Sequence, residues 1–167
     1  MSRVIILDTG PLGLLTNPRK TPETRAITRW ALDMMMAGHR LMVSAIADYE
    51  VRRELERVGR RQGLAQLDAF NVARADRYLA LSDQALRLAA QLWAQARNAG
   101  IPTADPKELD CDVLIAAQAL TLGVPTADLV IATTNVGHLA RFVPAALWGL
   151  RSWRRPPPSA SVRCKST

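Results

Sequence analysis

Cysteine is scarce in this chain: Cys111 and Cys164 are the only two in 167 residues. Two thiols cannot build a disulfide framework, and their spacing is not that of a metal-binding C-x-x-C pair. Histidine is equally sparse, with only His39 and His138. Neither lies near a strained serine turn, which removes a Ser-His-Asp hydrolase. The only lysines are Lys20, Lys107 and Lys165, and none follows a late apolar strand as a receiver-type phosphoacceptor domain requires. No glycine-rich stretch matches a dinucleotide-binding or P-loop pattern. Apolar runs all fall short of the roughly eighteen residues of a membrane span, and Val4–Leu7 is too short for the apolar region of a signal peptide. A cytoplasmic, non-membrane protein is the expectation. No internal repeat is visible.

What is present is an ordinary soluble composition, 49% hydrophobic and 22% charged, with enough chain for one domain and a full core. The net charge of +7 is unevenly spread. Arg151, Arg154, Arg155, Arg163 and Lys165 lie in residues 151–167, which carry no acid, while the preceding 150 residues net only +2. The expected organisation is therefore one domain over 1–150 and a basic tail over 151–167, flexible and broken by Pro156-Pro157-Pro158. Within the body, Arg52, Arg53, Arg57, Arg60 and Arg61 crowd together, tempered by Glu54 and Glu56. Such a segment is either a solvated helix face or a contact for a polyanion, and Arg52, Arg53 and Arg57 are the candidate nucleic-acid contacts.

Apolar patterning gives strands at Val4–Leu7, Arg40–Val43, Arg77–Leu81 and Leu129–Thr133, with a fifth at Ala145–Leu150. Helices are expected at Pro11–Leu15, Pro22–Ala37 (stopped by Gly38), Ala45–Val58 (capped by Ser44) and from Gly63 to Ala73. Two more follow: one capped by Ser82 or Asp83 and closed at Gly100, and one at Asp110–Leu122 after a loop over Ile101–Leu109. Strands alternating with helices of this length predict a three-layer α/β/α sandwich around a mostly parallel sheet of four to five strands.

In such a sheet ligands bind beyond the carboxyl ends of the strands. Asp8 follows the first strand and Asn135 the fourth. Glu50 lies nearly two turns into the helix after the second strand, and Asp112 is expected at the start of a helix facing the same rim. Four oxygen-bearing side chains can thus converge from distant positions, as a Mg²⁺ or Mn²⁺ site requires. An ion of this kind lowers the pKa of water and readies it to attack a phosphodiester. Each residue also has a plainer use. Asp8 and Asp112 could be helix caps, Glu50 a solvated acid beside Arg53, and Asn135 a turn residue. His138, near Asn135, either assists phosphate binding or fills a rim pocket. Asp110 either adds charge or caps the helix.

The segments around Asp8, Ser44-Ala45-Ile46 to Glu50, Asp112-x-Leu-Ile-Ala-Ala and Ala132-Thr-Thr-Asn135-Val-Gly-His138-Leu together resemble a PIN domain, most closely VapC-type toxins. The resemblance spans about residues 3–150. It implies divalent-metal-dependent RNA cleavage, a homodimer and a small cognate antitoxin. It places Asp8, Glu50 and Asp112 in the three acidic, metal-holding roles and Asn135 in the fourth catalytic position, where the family has Asp or Asn. Asn lowers the negative charge there.

Three functions compete. The first is a metal-dependent endoribonuclease acting on RNA, as the toxin of a toxin–antitoxin pair. The second is a catalytically weak PIN-fold module that binds RNA or protein. The third is a phosphatase-like enzyme, against which the absence of a second aspartate after Asp8-Thr9-Gly10 counts.

Overall fold

Every residue of Val4–Leu7 is buried, so this strand, β1, needs sheet neighbours on both edges and cover on both faces. A computed structural model describes residues 2–100, 106–150 and 153, and in it β1 is the central strand. Chain order continues with α1 (Thr9–Leu15), α2 (Pro22–Met36), β2 (Arg40–Ser44), α3 (Ala45–Arg57), α4 (Arg61–Val72) and β3 (Tyr78–Leu79). Then come α5 (Asp83–Asn98), α6 (Pro106–Leu120), β4 (Leu129–Thr133), α7 (Val136–Leu139) and β5 (Ala145–Leu147). The strands form one sheet in the order β3-β2-β1-β4-β5, and every pairing is parallel. This is the α/β/α sandwich that the alternation of elements implies.

The two faces of the sheet divide the core by strand alternation. Ile5 and Leu7 point with Leu41 and Val43 toward α1, α2 and α3, where Leu12, Ile27, Trp30, Met34, Ala47 and Val51 cover them. Val4 and Ile6 point with Met42 and Ile131 toward α6 and α7, against Ile115, Ala116, Ala119 and Leu139. Burying each of the larger aliphatic side chains stabilises the fold by about 1.5–3 kcal/mol. The alanines of α6 let it lie close on the sheet, and Ala117 meets Ala85 and Ala89 of α5 in a second small-residue seam.

Capping residues fix where the helices start. Thr21 and Thr24 make a reciprocal capping box at α2, and Ser82 accepts from Ala85 N to cap α5. Gly38 ends the α2 segment with φ +83°, a conformation that favours glycine. Ser44, fully buried, accepts from the backbone N–H groups of Ile46 and Ala47. Its hydroxyl donates to Gln118 Oε1 at 2.7 Å, and Gln118 Nε2 donates to Leu79 O at 2.8 Å. One polar chain thus ties β2, α6 and β3 together beside the rim where the strands end.

The structure departs from the sequence expectations in several places. α6 starts at Pro106, not Asp110, a proline suiting the first helical position; Asp112 therefore sits in its second turn and is not a cap. Only residues 106–109 of the expected Ile101–Leu109 loop are described, and they are helical. The third strand shrinks to Tyr78–Leu79, because β2 offers it only the pairs Val43–Tyr78 and Ser44–Leu79. The fifth stops at Leu147, whose partner Thr133 is the last residue of β4. Trp153, assigned by sequence to the tail, is buried. Its ring stands edge-on to Trp30 at 5.4 Å and its indole N–H donates to Leu147 O at 2.6 Å. The rest of the basic tail and the Pro156-Pro157-Pro158 run lie outside the described residues.

Candidate active site

The register β1–β2 and β1–β4 sets Leu7 beside Val43 and Ala132, so the residues that follow all emerge at one rim. The chain runs outward from β1 through β2 to β3, then returns to β4 on the other side. The order therefore switches between β1 and β4, where open α/β sheets form their binding crevice. Asp8 follows β1 and Thr133 ends β4 at that point.

Asp8 is the N-cap of α1. Its Oδ1 accepts from Thr9 N at 2.8 Å and its Oδ2 from Thr133 Oγ1 at 2.7 Å. Burial pushes its carboxyl pKa up; the hydrogen bonds from Thr133 and Thr9 pull the other way, and the nearby Glu50 charge adds to the rise. A capping role and a site role coincide in this residue.

Glu50 reaches the same rim from the second turn of α3. Its Oε2 accepts from Thr9 Oγ1 at 2.6 Å, and its Oε1 lies 3.4 Å from Arg53 Nη2. Arg53 also lies over the Tyr49 ring at 5.4 Å. From α6, Cys111 comes beside Glu50: burial, with the charge and hydrogen bond of Glu50, pushes its thiol up to about 12, so it stays protonated. Asp112, the next residue, faces α7, with Oδ2 3.4 Å from His138 Nδ1.

Asn135 is exposed, and its side chain makes no capping hydrogen bond to α7. Its backbone N–H donates to Thr133 Oγ1 at 3.0 Å. Gly10 closes the group from the α1 side, since a Cβ there would fall 2.6 Å from Thr134 Oγ1. Any larger residue there would have to displace the Thr134 side chain.

Asp8, Glu50 and Asn135 are thus linked at one rim, and Asp112 stands beside His138 of α7. Thr9 joins Asp8 to Glu50, Thr133 joins Asp8 to Asn135, and Cys111-Asp112 brings α6 beside Glu50. Among the described residues, no three His, Cys, Asp or Glu side chains are gathered closely enough to hold an ion between them. What the rim offers is an acidic pair, Asp8 and Glu50, close enough for their charges to couple. Its donors are hard oxygens, and Mg²⁺ or Mn²⁺ takes one or two carboxylates and completes its shell with water. The residues present fit an ion of that kind.

The three candidate nucleic-acid arginines differ sharply. Arg52 donates to both oxygens of the buried Asp48 at 3.0 Å and to Asp68 at 2.7 Å, and Asn71 also donates to Asp48. This network staples α3 to α4, and its carboxylates push the Arg52 pKa up. Arg53 and Arg57 are exposed on the same helix, paired with Glu50 and Glu54 respectively.

A cleft of about 530 Å³ opens between α1 and α3. Thr9 and Glu50 line it, Leu14, Val51 and Leu55 contribute apolar wall, and Arg19 and Arg60 also border it. The sequence alone assigns no individual role to Thr9, Thr133 or Gln118, although the Thr133 and Thr134 hydroxyls mark the end of a strand. A hydroxyl directly after a strand-end acid is the available signal for Thr9, and a hydroxyl ending the strand that leads to Asn135 is the signal for Thr133; Gln118 is indistinguishable from any polar residue in an apolar helix.

No protein-family model matches the chain, and no curated protein matches it in sequence. Solved structures do. It is similar to VapBC2 from Rickettsia felis bound to a DNA fragment from its promoter, with a TM-score of 0.63 at 16% identity, over 87% of this chain and 98% of that one. FitAcB from Neisseria gonorrhoeae matches with a TM-score of 0.62 at 20% identity, over 84% and 95%. VapBC-1 from nontypeable Haemophilus influenzae matches with a TM-score of 0.57 at 18% identity, over 91% and 99%. At these identities the likeness is one of fold. The fold is PIN-like. No helix among the described residues is long and apolar enough to cross a membrane.

Proposed function

We propose that this protein is a divalent-metal-dependent endoribonuclease, working as the toxin of a toxin–antitoxin pair. The observation that carries the reading is the Asp8–Glu50 acid pair, held by Thr9 at the switch point of a PIN-like sheet. Its fold neighbours include VapBC2, FitAcB and VapBC-1, which supports a small antitoxin as partner. A homodimer is part of the same proposal.

The contacts support the following roles. Asp8 and Glu50 supply the carboxylate oxygens for Mg²⁺ or Mn²⁺, with Asp112 as the third acid at the rim. Bound there, such an ion supplies Lewis-acid chemistry, acidifying water and offsetting charge on the phosphodiester. Thr133 holds Asp8 in place and fixes the Asn135 backbone, so that the exposed Asn135 carboxamide can orient water or a phosphate oxygen. His138 stands against Asp112 and can steady that carboxylate. Arg53 and Arg57 draw the RNA backbone toward the acids, which would otherwise repel it. In-line attack by water leaves a 5′-phosphate and a 3′-hydroxyl.

A second reading is a PIN-fold binding module with weak catalysis. The lack of a three-ligand cluster among the described residues favours it. Incubating labelled RNA oligonucleotides with the purified protein, with and without Mg²⁺ or Mn²⁺ and with Asp8→Asn as control, separates the two. Divalent-dependent cleavage lost in the variant supports the nuclease. RNA retention without cleavage in either protein supports the module.

A further inference from the structure

Thr9 makes two hydrogen bonds to two different acids. Its backbone N–H donates to Asp8 Oδ1 at 2.8 Å, and its hydroxyl donates to Glu50 Oε2 at 2.6 Å. The N–H belongs to the first residue of α1, where no helical partner competes for it. The β-branched side chain has few χ1 choices, so the hydroxyl direction is nearly fixed once the backbone is set.

The backbone is held in turn, Asp8 N donating to Ala132 O of β4 at 3.0 Å. Gly10 presses the start of α1 against Thr134, with no space for a Cβ between them, and Thr133 holds Asp8 from the opposite side. Glu50, by contrast, sits on a helix side chain with three rotatable bonds and has an alternative partner. Arg53, half exposed on the same helix, lies 3.4 Å from its other oxygen. Without the Thr9 hydroxyl, that guanidinium and the Cys111 thiol are the remaining donors, and neither ties Glu50 to Asp8.

We infer that Thr9 is a positioning residue: it sets the separation of the Asp8 and Glu50 carboxylates and thereby the affinity of the rim for a divalent cation. The inference rests on the nuclease reading proposed above and assigns to it a residue that contributes no charge. Two carboxylates whose charges couple repel one another, and a single residue donating to both holds them together before any ion arrives.

The test uses the full chain and Mn²⁺ as the probe. Thr9→Val keeps the shape and loses the hydroxyl; Thr9→Ser keeps the hydroxyl. Mn²⁺ binding is followed without RNA by calorimetry and by the shift in melting temperature, and RNA cleavage is then measured across the same Mn²⁺ range. The expected result is a rise of roughly ten- to a hundredfold in the half-saturating Mn²⁺ concentration of Thr9→Val. Cleavage should recover toward wild type at saturation, and Thr9→Ser should stay close to wild type throughout. Should valine prevent folding, Thr9→Ala removes the same hydroxyl with a smaller side chain. Mn²⁺ titrations of the folded hydroxyl-free variant that superimpose on wild type overturn the inference, as does a Thr9→Ser protein as impaired as that variant. Wild type showing neither Mn²⁺ binding nor Mn²⁺-dependent cleavage removes the proposed function and this inference with it. A responsive wild type with an unaffected variant removes the inference alone.

Discussion

Thr133 Oγ1 donates a 2.7 Å hydrogen bond to Asp8 Oδ2, joining the ends of two adjacent parallel strands that are 125 residues apart in the chain. The same oxygen accepts from Asn135 N at 3.0 Å. One fully buried hydroxyl therefore serves an acid and the backbone of the loop that carries Asn135.

Thr133→Val keeps the shape and removes both bonds. A half-buried carboxylate and a backbone N–H lose partners, which should cost about 1–3 kcal/mol. For a chain of this size that lowers the melting temperature by about 2–4 °C per kcal/mol. Cleavage should fall as well, since Asp8 is no longer held. A variant with wild-type melting temperature and activity would show that the contact is incidental.

Asp8→Asn and Asp112→Asn should each abolish divalent-dependent cleavage while folding cooperatively. For Asp8 the pH dependence adds a signature. Its folded pKa is raised above the ordinary 3.8, so the folded, metal-free protein holds this proton more tightly than the unfolded chain does. The associated stability is fully present below 3.8 and is lost as pH rises through the raised value. Asn carries no such charge, so in chelator-treated buffer Asp8→Asn should melt at or above wild type near neutral pH and lose that advantage in acid. Melting curves across pH check this, and full cleavage by either purified variant counts against the acidic site.

How much of this was legible in the sequence depends on the period of the signal. Val4–Leu7 and Leu129–Thr133 are unbroken apolar runs bounded by polar residues, and both are strands within the expected limits. The start of α6 was misplaced because apolar periodicity sets in only near Val113, while the helix begins at Pro106 on residues with little pattern. Asp8 and Asn135 can be placed at one rim because parallel strands bring their carboxyl ends to one side. The Arg52 network could not be read: Asp48 and Arg52 are a visible i,i+4 pair, but Asp68 and Asn71 join them only through the packing of α3 on α4. Arg52, Arg53 and Arg57 therefore looked alike in one dimension.

Their variants should separate. Arg52→Ala leaves the buried Asp48 without its cation. Loss of a fully buried pair costs about 3–5 kcal/mol, and since Arg52 is one-third exposed the expectation here is about 2 kcal/mol. Its effect on RNA affinity should be slight once the protein is folded. Arg53→Ala and Arg57→Ala should leave melting nearly unchanged and weaken RNA binding, each flattening the slope of log K against log salt by roughly 0.7. Denaturant melts and salt-dependent binding isotherms on the three variants decide the assignment. The reverse pattern would make Arg52 the RNA contact.

His39 provides a pH prediction away from the rim. Its Nδ1 accepts from Arg3 N at 3.1 Å, tying the turn after α2 to the start of β1, and a protonated imidazole cannot accept there. Burial, with the Arg3 charge adding to it, holds its pKa below 6.5. A depressed histidine contributes stability above its unfolded value of 6.5 that is lost as pH falls through the folded value. His39→Gln, whose carbonyl can accept at any pH, should therefore flatten the fall in melting temperature below pH 6.5. Parallel curves for the two proteins on the acid side would rule out this contact as the source.

Asn135→Asp tests the fourth position. The wild-type side chain is exposed and makes no capping bond, so the replacement meets no packing barrier. Two effects follow in the metal-free protein, and they oppose. The new carboxylate stands near Asp8 across Thr133, which raises its pKa and disfavours the folded state. It also becomes an acidic N-cap for α7, which favours that state. Melting temperature without metal is therefore a poor guide to where the residue points, and the increment on adding Mn²⁺ is a good one. A cation at the rim favours the ionised form and turns the repulsion into attraction, whereas the cap contributes equally with and without the ion. Because an ion that binds the folded state stabilises it by mass action, Asn135→Asp should enlarge the Mn²⁺-induced shift and lower the Mn²⁺ concentration for half-maximal cleavage. Titrating Mn²⁺ against melting temperature and cleavage in both proteins measures this directly. If the two increments coincide, Asn135 lies beyond the reach of the ion, and its place at the mouth of the crevice reflects the turn into α7 alone.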